Sequence, residues 1–189
     1  MKLLIKVYFP NVNPYDLMTI LEIINSNIVD KENTKICIMT DRDDFDFEPY
    51  SFYYLNESIP KMINYKLSEL KWDIVMPIIR PSITNRGFDN FIKKNYNENF
   101  PNLDGVLWLN DNNQTDINTY PVIGRKYYEH FSYIYNPVYN KTNFEKEFTD
   151  VLKIKNTYHF VNKICIKPII MKLDDDNIYE LRKKINFEL

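Results

Sequence analysis

Carboxylates crowded after an apolar run are the first residues in this chain that could do chemistry. The segment 34–40 (TKICIMT) leads straight into Asp41, Arg42, Asp43 and Asp44, three carboxylates in four residues. Such groups repel one another unless water, a cation or the hydroxyls of a ligand satisfy them. Two further polar positions follow apolar runs in the same way: Arg80 closes WDIVMPII (72–79), and Asp111 follows GVLWL (105–109). A guanidinium can offset phosphate charge, and an aspartate can hold a hydroxyl or a metal. Taken alone, TDRDD reads as a solvated turn and the run 110–113 (NDNN) as an Asx-rich loop.

Other chemistries are missing from the sequence, which carries no CxxC pair, HExxH, P-loop or GxSxG. With His130 and His159 as its only histidines, a histidine-rich metal centre is excluded, and each reads as a structural or surface residue. Cys37 and Cys165 sit in apolar, strand-like runs and read as buried thiols rather than a disulfide framework. A formal net charge of -2 argues against an obligate nucleic-acid binder, which needs a clustered basic excess. The short basic pieces Lys93-Lys94 and Arg182-Lys183-Lys184 read as solvated helix faces. Low glycine with abundant Asn, Lys, Ile and Tyr reflects an AT-rich coding bias more than a structural demand.

The elements that must position these residues alternate along the chain. Residues 3–9 read as a strand ending at Pro10, and 15–28 as a helix with Leu17, Ile20, Leu21 and Ile24 on one face. Asn13 before Pro14 is a plausible N-cap. The continuous apolar run 34–40 predicts a strand buried on both faces, so the first forty residues make a β-α-β unit with a right-handed crossover. Strands are further expected at 51–55, 72–79, 105–109 and 158–165, with Pro77 at a strand end or sheet edge. Helices are expected at 59–70, 88–96 (after Gly87), 127–131 and 144–152, with a last one after Asp174-Asp175-Asp176. At 189 residues this predicts one α/β domain over 1–189, Rossmann-like, with a mostly parallel central sheet. The opening MKLLIKVYFP reads as the first strand and not a signal peptide, and no stretch approaches the roughly 20 apolar residues of a membrane span. The expected location is cytoplasmic, that of the host cell if the source is viral.

The order of the pieces is more specific than any one of them. The chain runs VYFPNVNP, KICIMTDRDD, SIPKMINYKL, WDIVMPIIRP, RGFDNFI, FPNLDGVLWLND, YPVIGRKYYEHFSYIYNPVY and EKEFTDV. That succession resembles a family of small glycosyltransferase-like proteins, common in phages and bacteria, with the A-type nucleotide-diphosphosugar transferase fold. The resemblance covers essentially the whole chain and implies a nucleotide-sugar donor and an acceptor of unknown identity. It places Pro10 to Pro14 in the first nucleotide loop, with Asn11, Val12 and Asn13 in place of the family's basic and hydroxyl residues. Asp41, Asp43 and Asp44 fall on the acidic turn that contacts the nucleoside. Lys61 and Asn64 fall on a segment that helps hold the nucleotide. Glu147 matches an acid suited to general-base work, and the stretch 124–127, with Arg125, lines the acceptor side, where Asp111 is also expected.

Two departures from the family bear on its metal. Ile79-Arg80-Pro81-Ser82 stands where the family carries an Asp-Asp pair for Mn²⁺ or Mg²⁺, and Cys165-Ile166-Lys167-Pro168 stands where a histidine-rich contact is expected. Two readings stay open. In one, Arg80 and Lys167 stabilise the leaving diphosphate in place of a metal, and sugar transfer is retained. In the other, the fold survives without turnover as a binding or structural component of a larger, viral assembly.

Overall fold

Six consecutive buried residues, Leu3–Tyr8, make the central strand β1. The computed structural model describes residues 1–9, 14–40, 50–112 and 116–169. In chain order after β1 come α1 (Pro14–Ser26), β2 (Thr34–Thr40), β3 (Ser51–Tyr54), α2 (Ile59–Asn64), β4 (Ile74–Ile78) and β5 (Ser82–Thr84). They are followed by α3 (Phe88–Asn99), β6 (Val106–Leu109), β7 (Pro121–Gly124), α4 (Arg125–Glu129), α5 (Phe144–Lys155), β8 (Tyr158–Val161) and β9 (Ile166–Pro168). The main sheet has the order β3-β2-β1-β4-β7-β6-β8, and β7 alone of these strands runs against the rest. Strands β5 and β9 form a separate antiparallel pair.

A strand buried on both faces needs a covering layer on each. Leu3, Ile5 and Val7 point to one face, against Ile20, Leu21 and Ile24 of α1 and Phe88, Ile92 and Tyr96 of α3. Leu4 and Tyr8 point to the other, against Met62 and Ile63 of α2, Tyr127 and Tyr128 of α4, and Phe144 and Phe148 of α5. Helix α3 starts after Gly87, whose φ of 74° suits a residue without Cβ. At Gly124 a Cβ would come within 2.2 Å of the Leu103 carbonyl oxygen, so the absence of one lets β7 close on that turn.

Lys6 interrupts the second face at 0% exposure. Its ammonium donates to the carbonyls of Ile63 (2.8 Å), Met62 (3.4 Å) and Tyr65, the open C-terminus of α2. Met62 O also accepts from the Tyr65 amide at 3.3 Å, whereas the other carbonyls at this end are orphans of the helix terminus, whose negative end favours a cation. The helix stops at Asn64 rather than running on to residue 70, and Lys66 takes a left-handed φ of 54° just beyond.

Several other expectations shift in detail. Pro77 lies inside a central strand, opposite Lys6, but the β7 ladder has already ended at Val75, so among the described residues no strand flanks it on that side. The expected strand 158–165 forms β8 only as far as Val161, and β9, just beyond its expected end, joins a different sheet. Strands β5 and β7, of three and four residues, are too short to show a period in sequence. Lys94 is solvated as expected, whereas Lys93 is buried and donates to Asp30 and Thr34, both at 2.7 Å. Both cysteines are free and buried, and burial pushes their thiols up to about 11 and about 12. The first nucleotide loop at 10–13 and the helix expected after Asp176 lie outside the described residues. No described helix is long and apolar enough to cross a membrane.

Burial draws the Lys6 ammonium down from 10.5 to about 8, Cys37 opposing. Between those values the unfolded chain binds more protons than the folded one, so stability rises with pH through that window. Denaturant titrations at about pH 7 and about pH 10 are expected to show a rise, relative to Lys6→Met, on the order of 3 kcal/mol at most. Taking the difference from Lys6→Met cancels the tyrosines that titrate near the upper limit.

Candidate active-site cleft

Strands β4 and β6 end, and β7 begins, on the same edge of the sheet, and the side chains that follow those ends converge there. Arg80 comes two residues after β4. Its Nη2 donates to both oxygens of Glu145, at 2.5 and 2.6 Å. Glu145 lies in the first turn of α5, where a carboxylate is favoured by the helix field. The guanidinium is 30% exposed and the carboxylate 20%, so the pair is withdrawn from water without being sealed from it. Burial raises the Glu145 carboxyl above the usual range, with Asp111 adding to the rise and Arg80 opposing it.

Around this pair stands a ring of buried polar groups. Ser82 donates to the Arg80 carbonyl at 2.7 Å, which spends its one proton. The 2.7 Å contact between Ser82 and Tyr120 therefore has the tyrosine hydroxyl as donor. Burial holds that phenol protonated, pushed up to about 12. Asp111, two residues beyond β6, is buried and accepts from Thr119 Oγ1 at 2.7 Å. Tyr135 is fully buried between Phe144 and Phe148, and its hydroxyl has no hydrogen-bond partner among the described residues.

The residues singled out by sequence separate into three groups. Arg80 and Asp111 come together in this cleft, with Glu145 between their fields. Asp41, Asp43 and Asp44 lie outside the described residues; β2 ends at Thr40, on the same edge as β4 and β6. The remainder sit elsewhere. Lys61 is exposed and pairs with Glu57 at 2.9 Å. Asn64 spends its amide on the backbone, donating to Tyr135 O at 2.6 Å and accepting from Ile134 N at 2.7 Å. Two residues along a helix is a rotation of about 200°, so Glu147 faces away from Glu145. It accepts from Asn136 at 3.2 Å and lines a pocket with Tyr127, Phe131, Tyr133 and Phe148. Arg125 belongs to the opposite edge: its backbone bonds Asp73, its guanidinium donates to Leu67, Ser68 and Leu70 carbonyls, and it stacks on Trp72 at 4.6 Å.

Glu145, Tyr120 and Tyr135 are the cleft residues that sequence reasoning missed. The available signal for Glu145 was its position in a helix first turn, flanking the apolar stripe Phe144, Phe148, Leu152. Among the described residues no group of three or more acidic, histidine or cysteine side chains gathers, and a guanidinium already engages Glu145.

A mostly parallel sheet with one reversed strand and a polar cleft at its carboxyl edge defines an A-type, nucleotide-sugar transferase-like fold. Among solved structures, residues 1–349 of S. aureus TarS in complex with UDP-GlcNAc match with a TM-score of 0.69 at 13% identity, over 99% of this chain and 66% of that one. The same protein with UDP matches at 0.67 and 13%, over 99% and 65%. A Bacillus anthracis protein assigned as a glucose-1-phosphate thymidylyltransferase, solved with sucrose, matches at 0.54 and 12%, over 86% and 87%. The chain thus spans 65% of the first of these TarS structures and 39% of a longer one. No protein-family model and no curated protein sequence matches it.

Removing one partner of a half-buried ion pair strands the other in a poor solvent. Arg80→Met and Glu145→Leu are each expected to cost about 2 kcal/mol, and the double variant less than their sum by about 1–2 kcal/mol. Urea unfolding of the four proteins measures the coupling.

Proposed function

We propose that the protein is a glycosyltransferase that takes a nucleotide-sugar donor along the carboxyl edge of its sheet, with Arg80 neutralising the leaving diphosphate. The observation that carries this reading is the place of Arg80, immediately beyond central strand β4, at the edge where open α/β sheets bind their ligands. The nucleoside falls to Asp41, Asp43 and Asp44, which follow β2, and Asp111 stands toward the acceptor. Lys167 in β9 supports the same edge: it pairs opposite Ile83, and Ile169 N donates to Pro81 O at 2.8 Å beside Arg80. The UDP and UDP-GlcNAc bound by the similar TarS structures favour a nucleotide sugar as the donor class. A leaving diphosphate needs its developing charge offset, and a fixed guanidinium can supply that in place of an ion.

A second reading is favoured by one observation, that the charge of Arg80 is already engaged by Glu145. In that reading the fold binds without turnover, as a component of a larger assembly.

Thermal-shift titration with UDP-, GDP-, dTDP- and CDP-sugars, each with EDTA or with Mn²⁺, separates the two. The transferase reading expects stabilisation by one nucleotide class regardless of metal, lost in Arg80→Ala by about tenfold in affinity or more. No shift with any donor, alongside co-purification with a protein partner, gives the second reading.

A further inference from the structure

The engagement of Arg80 carries a consequence for how a donor could enter. Both oxygens of Glu145 sit on one nitrogen, Nη2. The other guanidinium nitrogens, Nη1 and Nε, make no hydrogen bond among the described residues. A guanidinium offers five N–H donors in a fixed fork, so a second anion can dock on the open nitrogens while Glu145 still holds the first. The partial exposure of both side chains, 30% and 20%, lets that exchange proceed without unfolding the helix that carries Glu145.

What surrounds the pair favours exchange over a permanent bridge. Asp111 adds a second negative charge to the field at Glu145, so the resting cleft holds two carboxylates against one guanidinium. The Tyr135 hydroxyl, fully buried and lacking a partner among the described residues, feels the charges of both Glu145 and Arg80. A buried donor without an acceptor is costly, and a carboxylate released from Arg80 is an acceptor of the right kind.

We infer that Glu145 is a resident competitor for the diphosphate of the donor: Arg80 exchanges Glu145 for phosphate oxygens as the donor binds, and Glu145 thereby weakens and gates that binding. The inference rests on the transferase reading of the cleft. No covalent bond is made or broken in the exchange; one ion pair is traded for another.

Isothermal titration with inorganic pyrophosphate and with UDP tests it, on the wild type, Glu145→Gln and Glu145→Asp. A competitor reduces apparent affinity by the fraction of protein it occupies, so Glu145→Gln is expected to bind both ligands about tenfold tighter than the wild type. Glu145→Asp keeps the charge but draws it back by one methylene, and is expected between the two. Should Glu145→Gln fail to fold, as judged by circular dichroism, the Asp variant carries the test. Equal or weaker binding by the folded variants, with the wild type binding UDP, overturns the competitor and leaves the cleft reading standing. Absence of binding in the wild type and the variants overturns both.

Discussion

The ammonium of Lys6, sunk in the middle strand, reaches the carbonyls left open at the end of α2, and a line of contacts runs from there to the cleft. Helix α2 is short, six residues, and would not hold its place by propensity alone. Lys6 fixes its end, and Asn64, its last residue, grips the backbone of Ile134 and Tyr135. Tyr135 then packs edge-on to Phe144 and Phe148, at 4.9 and 5.6 Å, which seats α5. Helix α5 presents Glu145 to Arg80. The links are hydrogen bonds at Lys6 and Asn64, ring packing at Tyr135 and an ion pair at Glu145, and each helps place the next element.

That line changes what Asn64 means. The resemblance to nucleotide-sugar transferases put it against the nucleotide, whereas the structure gives its half-buried amide two backbone partners. Its influence on the cleft passes through the placing of Tyr135. Arg125 makes a similar point at the opposite edge: three backbone carbonyls and the face of Trp72 absorb a guanidinium that reads, in sequence, as ready for a ligand.

Much of the fold was legible from the chain alone, because long apolar runs leave few alternatives. The run 34–40 forms β2 to the residue, and β1, β4 and β6 differ from expectation only at their ends. What could not be read is short or relational. Strands β5 and β7 have too few residues to show a period, and the reversal of β7 depends on which neighbours it meets. In the cleft, Arg80 and Asp111 were visible because each follows a buried strand. Glu145 was not, since a glutamate in a first turn looks like ordinary helix capping, and its neighbour Glu147 drew the attention instead. Only the rotation of α5 distinguishes the two.

The pairing of β5 with β9 bears on how the cleft comes into being. Ser82 lies opposite Pro168 and Thr84 opposite Ile166, contacts spanning more than eighty residues of chain. Strands β1 to β4 can pair as soon as residue 78 has left the ribosome, since their ladders are all internal to that stretch. The strand that backs Arg80 has no such early partner, and closing so long a loop costs entropy that three residues of ladder offset only once the rest is in place. A nascent chain can therefore hold a formed half-sheet while its cleft still lacks a wall, which arrives only with residues 166–168.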